Sequence, residues 1–309
     1  MKKLAIIIPA YKSCFLSETL ESIARQSNHE FTLYIGDDAS PDCLEEIVTS
    51  YKDRLDIVYY RFEQNLGGKN LIRHWERCIE MMRGEEFFCL FSDDDLMESH
   101  CVEQFYSILD NEKEGNFDVF HFNINIINSK GITIKECSAY PPVLSSSDFF
   151  HLLYTGCIDA RMPEFIFKTA SFKQNGGFVE FDMAYRSDNA TVMLHAIDKG
   201  ICSITGGRVL WRDSGLNLSS KYDQTLYRRK AVASVDFFNW CNVFFSKMGL
   251  HNPLETNQIY RWISDEILRI PNLALRKRML IFLNWKTGKY RMDIVYRFRF
   301  LRSVFINKL

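Results

Sequence analysis

The chain has 309 residues, 47% hydrophobic and 25% charged, with a mean hydropathy of −0.17. That length suits one large domain, or a domain with an appendage, and the composition is that of a soluble globular protein without repeats or low-complexity tracts. A formal net charge of −1 points to neither a nucleic acid nor an acidic partner.

The amino terminus, "MKKLAIIIPAY", sets two lysines before an apolar run. Residues 4–8 are too few for the roughly 7–15-residue apolar region of a secretory signal, and Pro9 and Lys12 close the run, so it predicts a first β-strand. No segment reaches the ~18 uncharged apolar residues that a membrane span needs. Residues 13–26 place Phe15, Leu16, Leu20, Ile23 and Ala24 on one helical face. Residues 31–35 predict a second strand, ended by Gly36-Asp37-Asp38. Ser40-Pro41 then supplies an N-cap and a first-turn proline for a helix to about Tyr51. Residues 57–62 predict a third strand, residues 70–82 a helix after Gly67-Gly68, and residues 87–91 a fourth strand.

Strands and helices alternating at this spacing imply crossover units: an α/β fold with a Rossmann-like, mainly parallel sheet flanked by helices. In such sheets ligands sit beyond the carboxyl ends of the strands. Those ends carry Pro9-Ala10-Tyr11, Asp37-Asp38, Asn65 with Gly67, and Ser92-Asp93-Asp94-Asp95, so polar and acidic groups collect on one edge.

The remainder is less regular. Strands are predicted over 117–127, 164–168 and 200–211, helices over 145–154 and 187–198, and a turn at Gly176-Gly177. From about Tyr222 the pattern is helical and aromatic, broken near Pro253 and Pro271, with Phe237-Phe238 and Phe244-Phe245 expected in a helix-packing core. This divides the chain into 1–220, with a nucleotide-binding half 1–95 and an acceptor half 96–220, and a helical extension 221–309. From Arg269 onward eleven bases face one acid, Asp293, a charge of about +10 on a segment rich in Leu, Ile, Trp and Phe. That mixture suits helices lying on an anionic membrane surface, or a bundle whose bases face water. Nine scattered cysteines without C-x-x-C spacing read as free thiols in a reducing, cytoplasmic compartment. Asn189-Ala190-Thr191 and Asn217-Leu218-Ser219 match the N-glycosylation pattern and, without a secretory signal, are read as chance.

The acidic turn raises the sharpest question, because adjacent carboxylates repel and at least one pKa must rise unless something compensates. A divalent cation compensates: Mg²⁺ or Mn²⁺ takes oxygen ligands, usually one or two carboxylates plus substrate phosphates. The plainer alternative is a solvated turn with Asp95 capping a helix near Glu98.

Taken together, "IIIPAYK" (6–12), "LYIGDDASPD" (33–42), "NLGG" (65–68), "FCLFSDDD" (88–95) and "GGFVEFDMAYRSDNA" (176–190) resemble the family-2 glycosyltransferases of the GT-A fold. The resemblance covers roughly residues 1–215. It implies inverting transfer of a sugar from a nucleoside-diphosphate-sugar, a UDP-sugar above all, with Mn²⁺ or Mg²⁺, to a glycan or lipid-linked acceptor. It further implies that Pro9, Ala10 and Tyr11 hold the nucleotide and that Asp38 hydrogen-bonds the uracil ring. Asn65 and Gly67 then line the donor site, Asp93 lies near the donor and Asp94 binds metal with help from Asp95. Asp188 is the implied catalytic base, with a helix-first-turn acid as its plainer reading. Ser92 and Ser187 stand where many members carry acids. Arg73 is a candidate for the donor phosphates and Arg212 for the diphosphate once a loop closes; Arg161 lies where such enzymes shape their pockets. Physically, a cation at Asp94 would offset charge on the leaving diphosphate, and inversion needs one base for the acceptor hydroxyl. Two other classes compete. A sugar nucleotidyltransferase would want a glycine-rich first loop, which "PAYKSCF" lacks; a degenerate nucleotide- or glycan-binding scaffold would fit Ser92 and Ser187 but not the retained Asp94 and Asp188.

Overall fold

A computed structural model describes residues 2–110, 116–215, 223–287 and 290–306. Two compact units emerge: Met1–Phe178 with Thr191–Asn217, and Val179–Ala190 with Leu218–Leu309. The expected boundary near Ser220 and the Asn217 glycosylation pattern lie outside the described residues.

The first unit is built on one sheet. Its opening half follows the alternation of the sequence: β1 (Leu4–Ala10), α1 (Leu16–Ala24), β2 (Phe31–Asp37), α2 (Leu44–Thr49), β3 (Ile57–Arg61), α3 (Leu71–Ile79) and β4 (Phe87–Leu90). β1 pairs in parallel with both β2 and β4, and β2 in parallel with β3. Every residue of β2 and β4 is buried, as is all of β1 but Pro9, which is why these strands read as unbroken apolar runs rather than alternations. Each fully buried Ile or Leu contributes roughly 1.5–3 kcal/mol of transfer free energy. Gly36 is required by packing: a Cβ there would lie 2.4 Å from Cys78 Sγ on α3.

One local expectation needs correcting. Ser40 does not cap α2, which starts four residues later behind Cys43. Its hydroxyl instead donates to the Tyr11 carbonyl at 2.7 Å and accepts the Asp42 N–H at 3.1 Å, so it joins the loops after β1 and β2. By contrast, Asn70 caps α3 by accepting the Arg73 N–H, and Ser145 caps α5 (Ser146–Tyr154) through Asp148.

The second half of the sheet is mixed. β5 (Leu96–Met97) leads to α4 (Cys101–Leu109), β6 (Val119–Asn128), β7 (Thr133–Glu136) and β8 (Val143–Leu144); β9 (Phe165–Lys168), α6 (Thr169–Gln174), α7 (Ser187–His195) and β10 (Ile201–Asp213) follow. The strand order is β3-β2-β1-β4-β9-β6-β10-β5, with β7 on β6 and β8 on β10. β9 joins the halves by pairing antiparallel with β4 and β6, while β10 runs parallel to β6. The β6–β10 register shifts between Ile204 and Arg208, at Gly206 and Gly207. Gly206 has φ +92°, and a Cβ on Gly207 would meet Cys101 Sγ at 2.8 Å. The bulge re-aims the last stretch of β10, which carries Arg212.

The helices α8 (Gln224–Lys247), α9 (Thr256–Leu268), α10 (Leu275–Phe282) and α11 (Tyr290–Ile306) belong to the second unit. Aromatic rings line them: Trp240 stacks on Phe244 within α8 at 4.7 Å, and Phe282 of α10 stacks on Phe300 of α11 at 4.3 Å. Part of the basic tail is structural, since Arg278 donates to the carbonyls of Leu268, Ile270 and Leu273 and so caps the end of α9. Six of the nine cysteines are buried. Among the described residues no helix is long and apolar enough to cross a membrane.

Candidate active site

Parallel pairing sets the carboxyl ends of β1, β2 and β4 side by side, and the loops beyond them are stitched together by carboxylates. Asp93 Oδ2 accepts the backbone N–H groups of Tyr11 and Lys12, both at 2.8 Å. The Asp38 N–H donates to the Ala10 carbonyl at 2.9 Å. Pro9 and Ala10 are the last residues of β1, whereas the Tyr11 ring stands 44% exposed. The sequence-predicted Pro9, Ala10, Tyr11, Asp38, Asn65, Gly67, Asp93, Asp94 and Asp95 therefore lie within one bonded network in the first unit.

The acidic turn is held by two cations the sequence reading undervalued. Lys12 Nζ lies 2.7 Å from Asp94 Oδ2 and 3.5 Å from Asp93 Oδ1. Burial works to lower the Lys12 pKa, but Asp93 and Asp94 raise it above the ordinary lysine value, so the ammonium stays charged. Burial pushes the Asp93 carboxyl up while Lys12 pulls it down. Arg212 is the second cation and is fully buried. Its Nε donates to the Asp94 carbonyl at 2.7 Å, its Nη2 to Glu18 at 2.8 Å, and its plane lies over the Phe15 ring at 4.3 Å. In this structure the Arg212 guanidinium is engaged by protein groups and braces the turn.

Asp95 does not cap a helix: the next helix begins behind His100. The Asp95 side chain is fully buried, Oδ1 accepts the Arg212 N–H at 2.7 Å, and Oδ2 lacks a hydrogen-bond partner. Burial and then the neighbouring Asp94 charge push its pKa up to about 7. Asp94 is buried too, its Oδ2 paired with Lys12. The donors at the turn are all oxygen, as a hard divalent cation requires, and such an ion completes its shell from water and phosphate. Among the described residues no group of three or more His, Cys, Asp or Glu has the arrangement of a metal cage. The turn thus fits a one-carboxylate site, with Lys12 on the oxygen the ion would use.

Asp38 is built differently. Asn65 Nδ2 and the Gly67 N–H donate to Oδ2 at 2.9 and 2.8 Å; the Leu66 N–H donates to Oδ1 at 2.8 Å, joined there by the Arg77 guanidinium. These four donors match the four acceptor sites of a carboxylate. In this arrangement Asp38 shapes the loop after β3. Gly67 is fixed by the same contact, because a Cβ there would sit 2.8 Å from Asp38 Oδ2. Burial lowers the His74 pKa to about 4, so its neutral ring accepts from Arg77 Nε at 3.0 Å. Arg73, the expected phosphate ligand, is exposed and pairs with Glu76; Arg77, one helical turn on, turns inward. That i,i+4 spacing was the available signal for Arg77. Arg161 lies over the Trp211 ring at 4.6 Å.

In the second unit Asp188 occupies the first turn of α7 and accepts the Asn189 N–H. The segment before it is strained: Met183, Ala184 and Arg186 all have φ between 55° and 68°. Non-glycine residues pay for that region with roughly 1–3 kcal/mol each, and persist there when surroundings over-determine them. Arg186 does so. It donates to Ser234 and Glu266 at 2.8 Å and lies within 6 Å of the Tyr185, Phe237, Phe238 and Trp262 rings. Ser187, in place of an acid, accepts the Phe181 N–H at 2.9 Å.

Comparison with known proteins was made on this basis. The model of "Glycosyl transferase family 2" matches residues 5–174, more than half of the chain. The chain belongs to glycosyltransferase family 2. Among curated members of related function it is 24% identical over 251 residues to the poly(ribitol-phosphate) β-N-acetylglucosaminyltransferase TarS of Staphylococcus aureus (strain Mu50), covering 77% of this chain and 41% of TarS. It thus spans less than half the length of that relative. A validoxylamine A glucosyltransferase of Streptomyces hygroscopicus subsp. jinggangensis is 39% identical over 67 residues, 21% of this chain and 16% of that one. Among solved structures, S. aureus TarS 1–349 in complex with UDP-GlcNAc superposes with a TM-score of 0.60 at 19% identity, covering 98% of this family-2 chain and 90% of the other. That likeness speaks to the fold, a GT-A mixed sheet with carboxyl-terminal helices. Enzyme class follows from the family: a glycosyltransferase.

Proposed function

We propose that this family-2 enzyme transfers an N-acetylhexosaminyl or hexosyl group from a UDP-sugar, UDP-GlcNAc first among them, to a hydroxyl of a surface glycan or lipid-linked acceptor, with inversion. The observation that carries the reading is the bonded edge itself. One carboxylate, Asp93, ties the loop bearing the exposed Tyr11 ring to the turn bearing Asp94. A base-stacking ring and a cation-ready carboxylate are thereby fixed in register, as a nucleoside diphosphate requires. The names of the TarS relative and of its UDP-GlcNAc complex support the donor class.

Each residue has a part. Tyr11 stacks on the base, and the 65–67 loop shaped by Asp38 borders it. Asp94 holds Mn²⁺ or Mg²⁺, which when bound supplies Lewis-acid stabilisation of the diphosphate leaving group. Asp93, Asp95 and Arg212 keep the turn in place. Asp188 takes the proton of the attacking acceptor hydroxyl, and the strained segment behind it fixes the carboxylate's direction.

The carboxyl-terminal helices support peripheral contact with an anionic membrane on the cytoplasmic side. On α11 Phe298, Phe305 and Ile306 are 68%, 58% and 56% exposed, and Arg297, Arg299 and Arg302 are exposed on the same helix. Such surfaces bind by apolar insertion plus roughly 1 kcal/mol per base.

The test is a thermal-shift panel of UDP, GDP, CDP and dTDP, each with Mn²⁺, Mg²⁺ or EDTA. A rise with UDP that EDTA diminishes is expected, since a ligand binding only the folded state raises the midpoint. A rise with another nucleotide alone would replace the donor; no rise with any would refute the donor reading. Sedimentation with phosphatidylglycerol vesicles, and not with phosphatidylcholine vesicles, is the outcome expected for the helices.

A further inference from the structure

The acidic turn already contains a cation, and it belongs to the protein. Lys12 Nζ touches Asp94 Oδ2 at 2.7 Å and stands 3.5 Å from Asp93 Oδ1. We infer that Lys12 is the resident counter-ion of the turn: without donor it occupies the Asp94 oxygen that a divalent ion would take, and the incoming diphosphate draws it away. The inference rests on the donor and metal reading above and adds a residue that competes for the site.

Three observations lead here. An ion held by Asp94 would bind the carboxylate that Lys12 Nζ already touches. An ammonium at hydrogen-bond distance from the same group would repel it strongly, so occupancy by one weakens the other. Next, the Lys12 backbone cannot leave, because its N–H is bonded to Asp93 Oδ2 at 2.8 Å. The side chain is the part free to move, and at 30% exposure it has a route outward. Finally, a lysine head is a compact point charge on a flexible stem, suited to exchanging a carboxylate for a phosphate. In this scheme the ammonium passes from Asp94 to the donor's phosphate oxygens, and metal and nucleotide bind cooperatively because the nucleotide removes the competitor.

The experiment compares Mn²⁺ affinity, by electron paramagnetic resonance of the free ion, for nucleotide-free wild type, Lys12→Met and Lys12→Gln. Both variants should bind Mn²⁺ on the order of tenfold more tightly than wild type, as expected for losing one nearby like charge at a partly exposed site. Calorimetry in EDTA should show UDP binding weakened on the order of tenfold in both, because the phosphate loses its ammonium. Asp94→Asn should abolish the tightened Mn²⁺ site in the Lys12→Met background. Mn²⁺ affinities within twofold of wild type in a folded Lys12 variant, or no Mn²⁺ binding by either variant, overturn the inference. The donor reading fails on a different result, absence of UDP binding by wild type under any condition, so the two failures are told apart.

Discussion

Asp38 and Asp95 both follow parallel strands, both are buried, and both lie on the same edge of the sheet, yet they are provided for in opposite ways. Asp38 receives four N–H donors on two oxygens. Asp95 receives the Arg212 N–H on one oxygen and has an unpartnered second oxygen; beside it Asp93 accepts the Tyr11 and Lys12 N–H groups and Asp94 pairs with Lys12. The first cluster is finished: its acceptor capacity is used, and its role is to hold a loop. The second leaves one buried carboxylate oxygen, Asp95 Oδ2, without a hydrogen-bond partner. Negative charge alone does not mark a ligand site; unspent acceptor capacity does.

The comparison can be tested from its strongest consequence downward. Asp188→Asn removes the proposed base and leaves both carboxylate clusters untouched, so kcat should fall about 10²–10⁴-fold while UDP binding by calorimetry stays at the wild-type value. A large loss of UDP affinity instead would show that Asp188 serves donor binding. Asp94→Asn should lower turnover about 10²–10³-fold with little change in melting temperature, because the turn keeps its backbone bonds to Arg212 and Tyr11. Asp38→Asn should do the reverse. Its new amide faces an N–H it cannot accept, costing about 1–3 kcal/mol of stability in urea unfolding. Were Asp38→Asn stable and inactive, the finished-cluster account would be wrong. Gly67→Ala should destabilise in the same range, through the 2.8 Å approach to Asp38.

The smallest effect is a pH dependence. Asp95 has a folded pKa of about 7, above the ordinary aspartate value of 3.8. Its raised pKa means that the folded state binds the proton more tightly, so this stabilisation is fully present below about pH 4 and is lost as pH rises toward 7. Asp93, raised for the same first reason of burial, acts with the same sign. In EDTA the melting temperature of Asp95→Asn should fall less across that window than that of wild type. Parallel curves would locate the titration elsewhere.

Much of the first unit was readable from sequence because its strands are buried on both faces and therefore carry unbroken apolar runs, as in "LAIII" and "FFCLF". The serine and asparagine caps at 145 and 70 were readable or nearly so, for their side chains bond within three residues. Ser40 misled because its hydroxyl bonds across the loops to Tyr11, a contact no local pattern encodes. β5 and β8, two residues each, carry no periodicity at all. At the site, the acidic groups were legible as types at strand ends, while their partners were not. Lys12, Arg77 and Arg212 look like ordinary surface bases, and only the fold brings Arg212 to Asp95, 117 positions earlier. The left-handed residues Met183, Ala184 and Arg186 have no sequence mark either, since none is glycine.

That run bears on how such an enzyme can be divided or recombined. Residues 179–190 group with 218–309, while the family match stops at residue 174. A chain ended at residue 215 keeps the whole sheet and both carboxylate clusters, but deletes Ser234, Glu266, Phe237, Phe238 and Trp262, the groups around Arg186. The proposed base would then ride on a segment whose anchor had been cut away. Exchange of carboxyl-terminal helices between relatives faces the same constraint: a donor of helices must also donate the dozen residues around Asp188, so two stretches separated in sequence have to be inherited as one.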